Sequence, residues 1–176
     1  MLTQRHEALV PRPSSRRASN AMDNQSKEKR SKTMASVRQK NTKPELLVRS
    51  EIHRLGGRFV LHARNLPGRP DIVLPGRSLC IFVHGCFWHR HESCRLTTTP
   101  STNVAFWIEK FRANIARDER KESELRLLGW NVAVIWECET RDRVSLAQHV
   151  SALLAVYPYV PKTSRKTVST PPSDAP

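Results

Sequence analysis

The stretch Ile81–Cys94 reads IFVHGCFWHRHESC, and it joins an apolar run to a dense group of histidines and cysteines. The run Leu79–Val83 fits a buried strand, so the polar group is expected where that strand leaves the core. Upstream, the PGR sequence at 75–77 is typical of a hairpin turn, and Asp71 begins the strand before it. Antiparallel pairing of these two strands predicts that Asp71 and His84 lie near each other.

Helical and strand patterns alternate along the rest of the chain. Thr42 and Glu45 match a capping box, and the apolar face of the helix that follows ends at Gly56-Gly57. Strands are predicted at Arg58–His62, Asp71–Leu74, Ser78–Val83 and Asn131–Trp136, and two later helices at Asn103–Gly129 and Val144–Tyr157. The order helix, three strands, helix, strand, helix predicts an α/β domain with a central mixed β-sheet flanked by helices.

The charge of the chain favours a polyanionic partner. The formal net charge is +14, and residues 34–157 keep +7 of it, from 19 basic minus 12 acidic side chains. A basic protein without a nucleic-acid role is the alternative. Residues 1–27 are expected to be a disordered basic N-terminal extension, residues 28–157 the folded domain, and residues 158–176 a disordered tail.

Composition also bounds the cellular setting. No run approaches the roughly 18 apolar residues of a membrane span, and the N-terminus has no apolar signal segment. The four cysteines suit a reducing cytosol and a metal site better than disulfides. We therefore expect a soluble, cytoplasmic protein without membrane contacts.

Three side chains of the central stretch have the spacing C-x4-H-x2-C: Cys86, His91 and Cys94. Thiolate and imidazole ligands suit tetrahedral zinc, and a structural site takes a fourth ligand. Cys138 is the candidate because it follows a predicted strand, whereas Cys80 lies inside the apolar run and is interpreted as a core thiol. The alternative is that these are ordinary loop cysteines.

Asp71 and the nearby histidines suggest a second, catalytic site. A carboxylate there can hold Mg²⁺, and His84 and His89 can transfer protons near neutral pH. Glu45, on the first helix, could act through a bound water. For Asp71 the alternative is a turn carboxylate that caps a backbone amide.

Aromatic residues adjoin both candidate sites. Phe87-Trp88 lies between potential ligands, and apolar side chains of this kind can act as wedges that unstack base pairs. Trp107, on the next helix, could join them or pack the core. Basic residues continue along that helix and indicate phosphate contacts on some faces and a solvated surface on others: Lys110, Arg112, Arg117, Arg120 and Lys121.

These motifs together resemble one family. In order, they are RSKTM at 30–34, Glu45, LPGRPD at 66–71, IFVHGCFWHRH at 81–91, FWIEK at 106–110, RDER at 117–120, LGWNV at 128–132 and IWEC at 135–138. The pattern is similar to that of the very-short-patch-repair (Vsr) DNA mismatch endonucleases. The resemblance implies a restriction-endonuclease-like fold with a structural Zn²⁺, and a Mg²⁺-dependent enzyme that nicks one strand 5′ to the T of a T:G mismatch.

The resemblance also implies roles for individual residues. Asp71 and the main-chain carbonyl of Val83 would bind Mg²⁺, His89 would be the general base, His84 would support the phosphate, and Glu45 would organise metal-bound water. The implied zinc ligands are Cys86, His91, Cys94 and Cys138. The implied DNA contacts are Phe87, Trp88, Trp107, Met34, Lys110 and Asn114.

Partners follow from the same resemblance. A T:G mismatch arises when 5-methylcytosine deaminates, so the resemblance implies a functional link to a cytosine-5 DNA methyltransferase. Mismatch-repair factors such as MutL are a further expected contact, and the protein is expected to act as a monomer at the nucleoid. Two rival interpretations are a zinc-stabilised DNA-binding module without catalysis and a restriction-type endonuclease of the same fold.

Overall fold

The structure is a computed structural model and describes residues 40–161. Met34, the predicted extension over residues 1–27 and residues 162–176 of the predicted tail lie outside the described residues. Residues 158–161 of that tail are described, and the Val160 amide donates to the Gly76 carbonyl at 2.7 Å. The helices are α1 (Lys43–Arg54), α2 (Cys86–His89), α3 (Val104–Leu127) and α4 (Arg143–Val156). The strands are β1 (Val60–Leu61), β2 (Ile72–Leu74), β3 (Leu79–His84) and β4 (Asn131–Trp136).

One four-stranded sheet, in the order β1-β2-β3-β4, organises the domain. β1, β2 and β3 pair antiparallel, whereas β3 and β4 pair parallel, with Val83 opposite Ile135 and His84 opposite Trp136. The predicted α/β class and mixed sheet are confirmed. Because parallel strands end at the same edge, the residues that follow β3 and β4 lie side by side.

Helices cover both faces of this sheet. Successive residues of β3 alternate between two cores, as strand geometry requires. Leu79 and Ile81 pack with α1 and α4, whereas Cys80 and Phe82 pack with Leu125 of α3. Cys80 is fully buried, which confirms its interpretation as a core thiol.

Helix α1 begins as its sequence predicts. Thr42 Oγ1 accepts a hydrogen bond from the Glu45 amide (3.4 Å), and Glu45 Oε1 accepts one from the Thr42 amide (3.3 Å). This capping box satisfies two amides that lack partners within the helix. Gly56, at φ +76°, follows the helix with a backbone conformation that side chains disfavour. The cap also buries Glu45, to 3 % exposure, at the start of the helix.

Several predicted boundaries are wrong. The strand expected over Arg58–His62 is only the two residues Val60–Leu61, because its partner β2 is itself only three residues long. Asn103 precedes α3 as expected, but its backbone is left-handed (φ +54°) and its side chain makes no cap hydrogen bond. The one-turn helix α2 was not predicted.

Two predicted burials are also wrong. Phe106 and Leu128 were expected on apolar helix faces, yet each is 60 % exposed. Strand β4 has the predicted bounds but lies at a sheet edge, so only Ile135 along it is buried. Within residues 40–161, no helix has the length and apolarity needed to cross a membrane.

Among truncations of core side chains, that of Ile81 is expected to lower the free energy of unfolding most. It is fully buried in the centre of β3 between β2 and β4. Ile81→Ala is expected to lower the free energy of unfolding by about 2–5 kcal/mol, because the surrounding sheet and helices cannot collapse onto the cavity. Urea unfolding measures this, with the half-exposed Val60→Ala as control; equal effects of the two variants would contradict the assigned core.

Candidate active site and cysteine cluster

A groove of about 1200 Å³ runs across the ends of β2 and β3 and along helix α3. Its walls combine side chains from α1, from the turn before β2, from the end of β3 and from α3. Two groups of titratable side chains face it: Glu45, His62 and Asp71, and His84, His89 and Asp118. The ligand atoms within each group lie within 4.8 Å of one another.

Asp71 is held at the end of the β2–β3 hairpin. Its Oδ2 accepts a hydrogen bond from the Val83 amide at 2.8 Å. Burial raises the pKa of Asp71 to about 6, an effect that the Val83 hydrogen bond opposes and the nearby Glu45 carboxylate adds to. A buried carboxylate with a raised pKa is stabilised when a cation binds it, so Asp71 suits a hard divalent ion such as Mg²⁺.

Val83 lies beyond the last residue of β3 that pairs with β2, since Ile72 pairs with Ile81. The N–H and C=O of one strand residue face the same side. The amide of Val83 faces Asp71, so its carbonyl faces the same side, where no strand pairs with it. The backbone at Val83 can therefore offer an oxygen next to the Asp71 carboxylate.

Glu45 lies near Asp71 but is already engaged. Its Oε2 accepts from Arg49 Nη2 at 2.6 Å and its Oε1 accepts from Thr42 Oγ1 at 2.8 Å. Arg49 Nη2 also lies 3.1 Å from His62 Nε2. With both oxygens occupied by protein donors, Glu45 fits an indirect role toward a metal better than direct coordination.

His84 and His89 stack on each other, with ring centroids 3.9 Å apart. His89 Nδ1 lies 2.5 Å from Asp118 Oδ2. Because a carboxylate only accepts hydrogen bonds, Nδ1 carries the proton and Nε2 of a neutral His89 is left as the basic atom. Burial, together with the charge of the neighbouring His89, lowers the pKa of His84 to about 3, so His84 is neutral at pH 7.

Asp118 is ionised beside His89. Partial burial raises the pKa of Asp118, but the hydrogen bond from His89 and the adjacent positive charges more than offset this, and the net shift is downward. The result is a carboxylate that orients one imidazole. A histidine held in this way is suited to accept a proton from a water molecule.

The four predicted zinc ligands come together beyond the ends of β3 and β4. Cys86, His91, Cys94 and Cys138 have ligand atoms within 4.8 Å of one another. His91 Nδ1 lies 3.8 Å from Cys86 Sγ and 3.2 Å from Cys138 Sγ. Three sulfurs and one nitrogen match a closed tetrahedral zinc site.

The loop that follows Cys86 folds back so that the ligand atoms of Cys86, His91 and Cys94 lie close together. Arg90 and Ser93 adopt left-handed backbones, at φ +57° and +53°. Thr97 Oγ1 donates toward the carbonyls of Cys86 (3.1 Å) and His91 (2.8 Å). Burial raises the pKa of the Cys86 thiol to about 12, so a bound cation would be needed to favour its thiolate at neutral pH.

The aromatic residues form a cluster between α2 and α3. Phe87 packs edge-on against Trp107 and Phe111, with centroids 5.6 and 5.3 Å apart. Trp107 is only 3 % exposed, although it borders the groove together with Trp88. Insertion of Trp107 into DNA would require this cluster to rearrange, whereas the exposed Phe106 beside it faces the groove directly.

Two other predicted DNA contacts differ in their surroundings. Lys110 is exposed and borders the groove. Asn114 is 9 % exposed, and its Nδ2 donates to the Trp88 carbonyl at 3.1 Å. Asn114 thus helps to hold helix α2, which carries Trp88, against α3.

Comparison with known proteins identifies the family. The family model of the DNA mismatch endonuclease Vsr matches residues 22–95. The type II nicking enzyme V.XorIIP of Xanthomonas oryzae pv. oryzae is 49 % identical over 132 residues, which cover 75 % of this chain and 96 % of that relative. The chain belongs to the Vsr family of DNA mismatch endonucleases.

Further relatives agree with this assignment. The DNA mismatch endonuclease Vsr of Escherichia coli K12 is 42 % identical, over 66 % of this chain and 74 % of the relative. The type II nicking enzyme V.NmeAIP of Neisseria meningitidis serogroup A is 39 % identical, over 72 % and 89 %. The family resemblance predicted from the sequence motifs is confirmed.

Asp118 and His62 were assigned no role from the sequence of this Vsr-family chain. Asp118 follows Asn114 by four residues and Phe111 by seven, so a helical projection places this carboxylate on the inward face of α3. His62 follows β1, and its amide donates to the Asp71 carbonyl at 3.3 Å. An acidic residue on a buried helix face was the signal that could have identified Asp118.

Asp118→Asn is expected to lower the nicking rate by roughly 10²–10⁴-fold, the usual contribution of a positioned general base, while DNA affinity stays nearly unchanged. The asparagine keeps an oxygen that can accept from His89 Nδ1, but the substitution removes the negative charge that fixes the His89 tautomer and stabilises the imidazolium formed on proton transfer. Single-turnover cleavage and binding are measured on the same duplex. Glu119→Gln makes the same change in charge at an exposed neighbour. Equal rates for both variants would remove Asp118 from the mechanism.

Proposed function

We propose that this protein is a Mg²⁺-dependent endonuclease that nicks one DNA strand 5′ to the T of a T:G mismatch. The observation that carries the proposal is that Asp71 and the His89–Asp118 pair line the same groove. Relatives named as a mismatch endonuclease and as nicking enzymes support the reaction class. We also propose that its α/β domain has the restriction-endonuclease-like fold that the family resemblance implies.

Asp71 and the Val83 carbonyl would hold the Mg²⁺, with Glu45 ordering water beside it. The ion would supply positive charge to the phosphate as negative charge develops there. His89 would take a proton from the attacking water at Nε2, while Asp118 holds Nδ1–H. Neutral His84, stacked on His89, would donate its N–H toward the phosphate and its leaving oxygen.

Recognition would use the aromatic cluster and the groove wall. Phe87, Trp88 and Trp107 would insert beside the mismatch after their cluster rearranges, and Lys110 and Asn114 would contact it and its neighbours. Met34 would contribute from outside the described residues. A T:G substrate links the enzyme to a cytosine-5 DNA methyltransferase, whose product generates that mismatch on deamination, and to repair factors that complete the patch.

Strand-resolved cleavage tests this proposal. A T:G duplex carrying a different fluorophore on each strand is incubated with protein and Mg²⁺. Only the T strand is expected to be cut. Paired cuts in both strands would favour a restriction-type enzyme. Tight, salt-dependent binding without any product would favour a non-catalytic DNA-binding module.

A further inference from the structure

Helix α3 divides its basic side chains between two environments. On the outer side, Arg112 pairs with Glu109 (3.4 Å), Arg120 with Glu124 (3.9 Å) and Arg126 with Glu122 (2.9 Å). The basic residues of α3 that border the groove are Lys110, Arg117 and Lys121. The basic residues of α3 therefore form two distinct surfaces: one is paired with glutamates, and the other borders the groove.

Carboxylates also border the groove, but they pair with residues other than its lysines. Asp118 binds His89 through Oδ2, and its Oδ1 lies 3.7 Å from Arg117 Nε. Glu122 pairs with Arg126, and Glu137 lies 3.8 Å from Arg141. Among residues 40–161, neither Lys110 nor Lys121 forms an ion pair with a carboxylate. The groove therefore presents lysine charge that the protein itself leaves without a counter-ion.

Lys121 is held in place by its neighbours. A Cβ atom on Gly68 would lie 2.9 Å from Lys121 Cδ and 3.0 Å from its Cβ, so the stem of the lysine packs on the turn before β2. Burial lowers the pKa of Lys121, and the charge of Arg117 lowers it further. An anion bound between the two side chains would relieve this repulsion.

We propose that Lys121 and Arg117 bind a phosphate of the DNA backbone next to the phosphate that is cleaved. The two residues are four positions apart on α3, which puts their Cβ atoms about 5–6 Å apart, and they flank Asp118 in sequence. One phosphate fits between such a pair. This contact positions the strand without reading a base; it rests on the proposed function, since it requires DNA in the groove.

Lys121→Ala is the test variant, and Arg120→Ala is its matched control, because it removes the same charge from the next residue, outside the groove. Binding to T:G and matched T:A duplexes is followed by fluorescence anisotropy in Mg²⁺-free buffer over a range of NaCl concentrations. For Lys121→Ala, the slope of log K against log salt is expected to fall in magnitude by about 1 on both duplexes. Arg120→Ala is expected to retain the wild-type slope, and Lys121→Arg to restore it.

The following results would overturn the inference. An unchanged slope in Lys121→Ala, or an equal change in Arg120→Ala, would show that no specific phosphate is bound at Lys121. Loss of affinity on the T:G duplex alone would indicate a base contact instead. Should Lys121→Ala melt below the assay temperature, Lys121→Gln keeps the stem on Gly68 and gives the same comparison. Wild-type binding with no cleavage would count against the proposed function and leave this test intact.

Discussion

Asp71→Asn is expected to lower the single-turnover nicking rate by at least about 10³-fold, equivalent to about 4 kcal/mol of activation free energy. The asparagine keeps the size of the side chain and an oxygen that can accept from the Val83 amide. It removes the negative charge that would attract Mg²⁺. Binding to DNA should change little, because the groove keeps its basic residues.

Asp142→Asn is the matched control for this variant. Asp142 caps α4 through the Val144 amide and does not line the groove, and asparagine caps helices about as well as aspartate. Both variants lose one negative charge. Nicking by Asp71→Asn within tenfold of the control, at saturating Mg²⁺, would show that Asp71 is not the metal ligand.

Cys138→Ala is expected to bind far less Zn²⁺ than the wild type and to be several kcal/mol less stable. As a zinc ligand, Cys138 would tie the end of β4 to the loop after β3, since its Sγ lies 3.2 Å from His91 Nδ1. A structural zinc stabilises the folded state by its binding free energy. Elemental analysis of purified protein gives the metal content, and thermal unfolding gives the stability.

Cys80→Ala separates ligand loss from loss of a thiol. Cys80 is also fully buried, but it packs in the core with Val73 and Phe82. It is expected to lose some packing energy and to keep one Zn²⁺ per chain. One Zn²⁺ per chain in Cys138→Ala as well would show that Cys138 is not a ligand, and wild-type protein without zinc would refute the site.

Local signals in the sequence account for most of the fold. The capping box at Thr42 and the glycines after Leu55 mark both ends of α1, and the apolar run before His84 marks β3. The length of β1 could not be predicted in the same way. It depends on how many residues of β2 are available to pair, which is a property of the folded sheet.

Long-range geometry decides the parts of the site that the sequence left open. The parallel pairing of β3 with β4 brings Cys138 to Cys86 and His91. Two histidines that are close in sequence have different partners: His91 contacts the cysteines, whereas His89 contacts Asp118 on α3. Helical spacing could place Asp118 on the inward face of α3, but its pairing with His89 depends on how α3 packs against α2, which no spacing along the chain predicts.

The same packing explains the aromatic residues. A Phe-Trp pair in a loop indicates either a ligand contact or burial, and the sequence does not choose between them. In the structure Phe87 packs under Trp107, and Phe106 is left exposed at the groove. Which of the two rings is buried depends on how α3 is rotated about its axis. Phe106 and Trp107 are neighbours in sequence, so the apolar pattern of the helix does not determine that rotation.

Mismatch-dependent nicking is the central claim, and one measurement tests it most directly. Duplexes with a central T:G or T:A pair and randomised flanks are incubated with wild-type protein and Mg²⁺, and the new 5′ ends are sequenced. We expect nicks directly 5′ to the T, in T:G members only, within a limited set of flanking sequences. Equal cutting of T:A members, or no cutting of any T:G member by protein that binds these duplexes, would contradict the account.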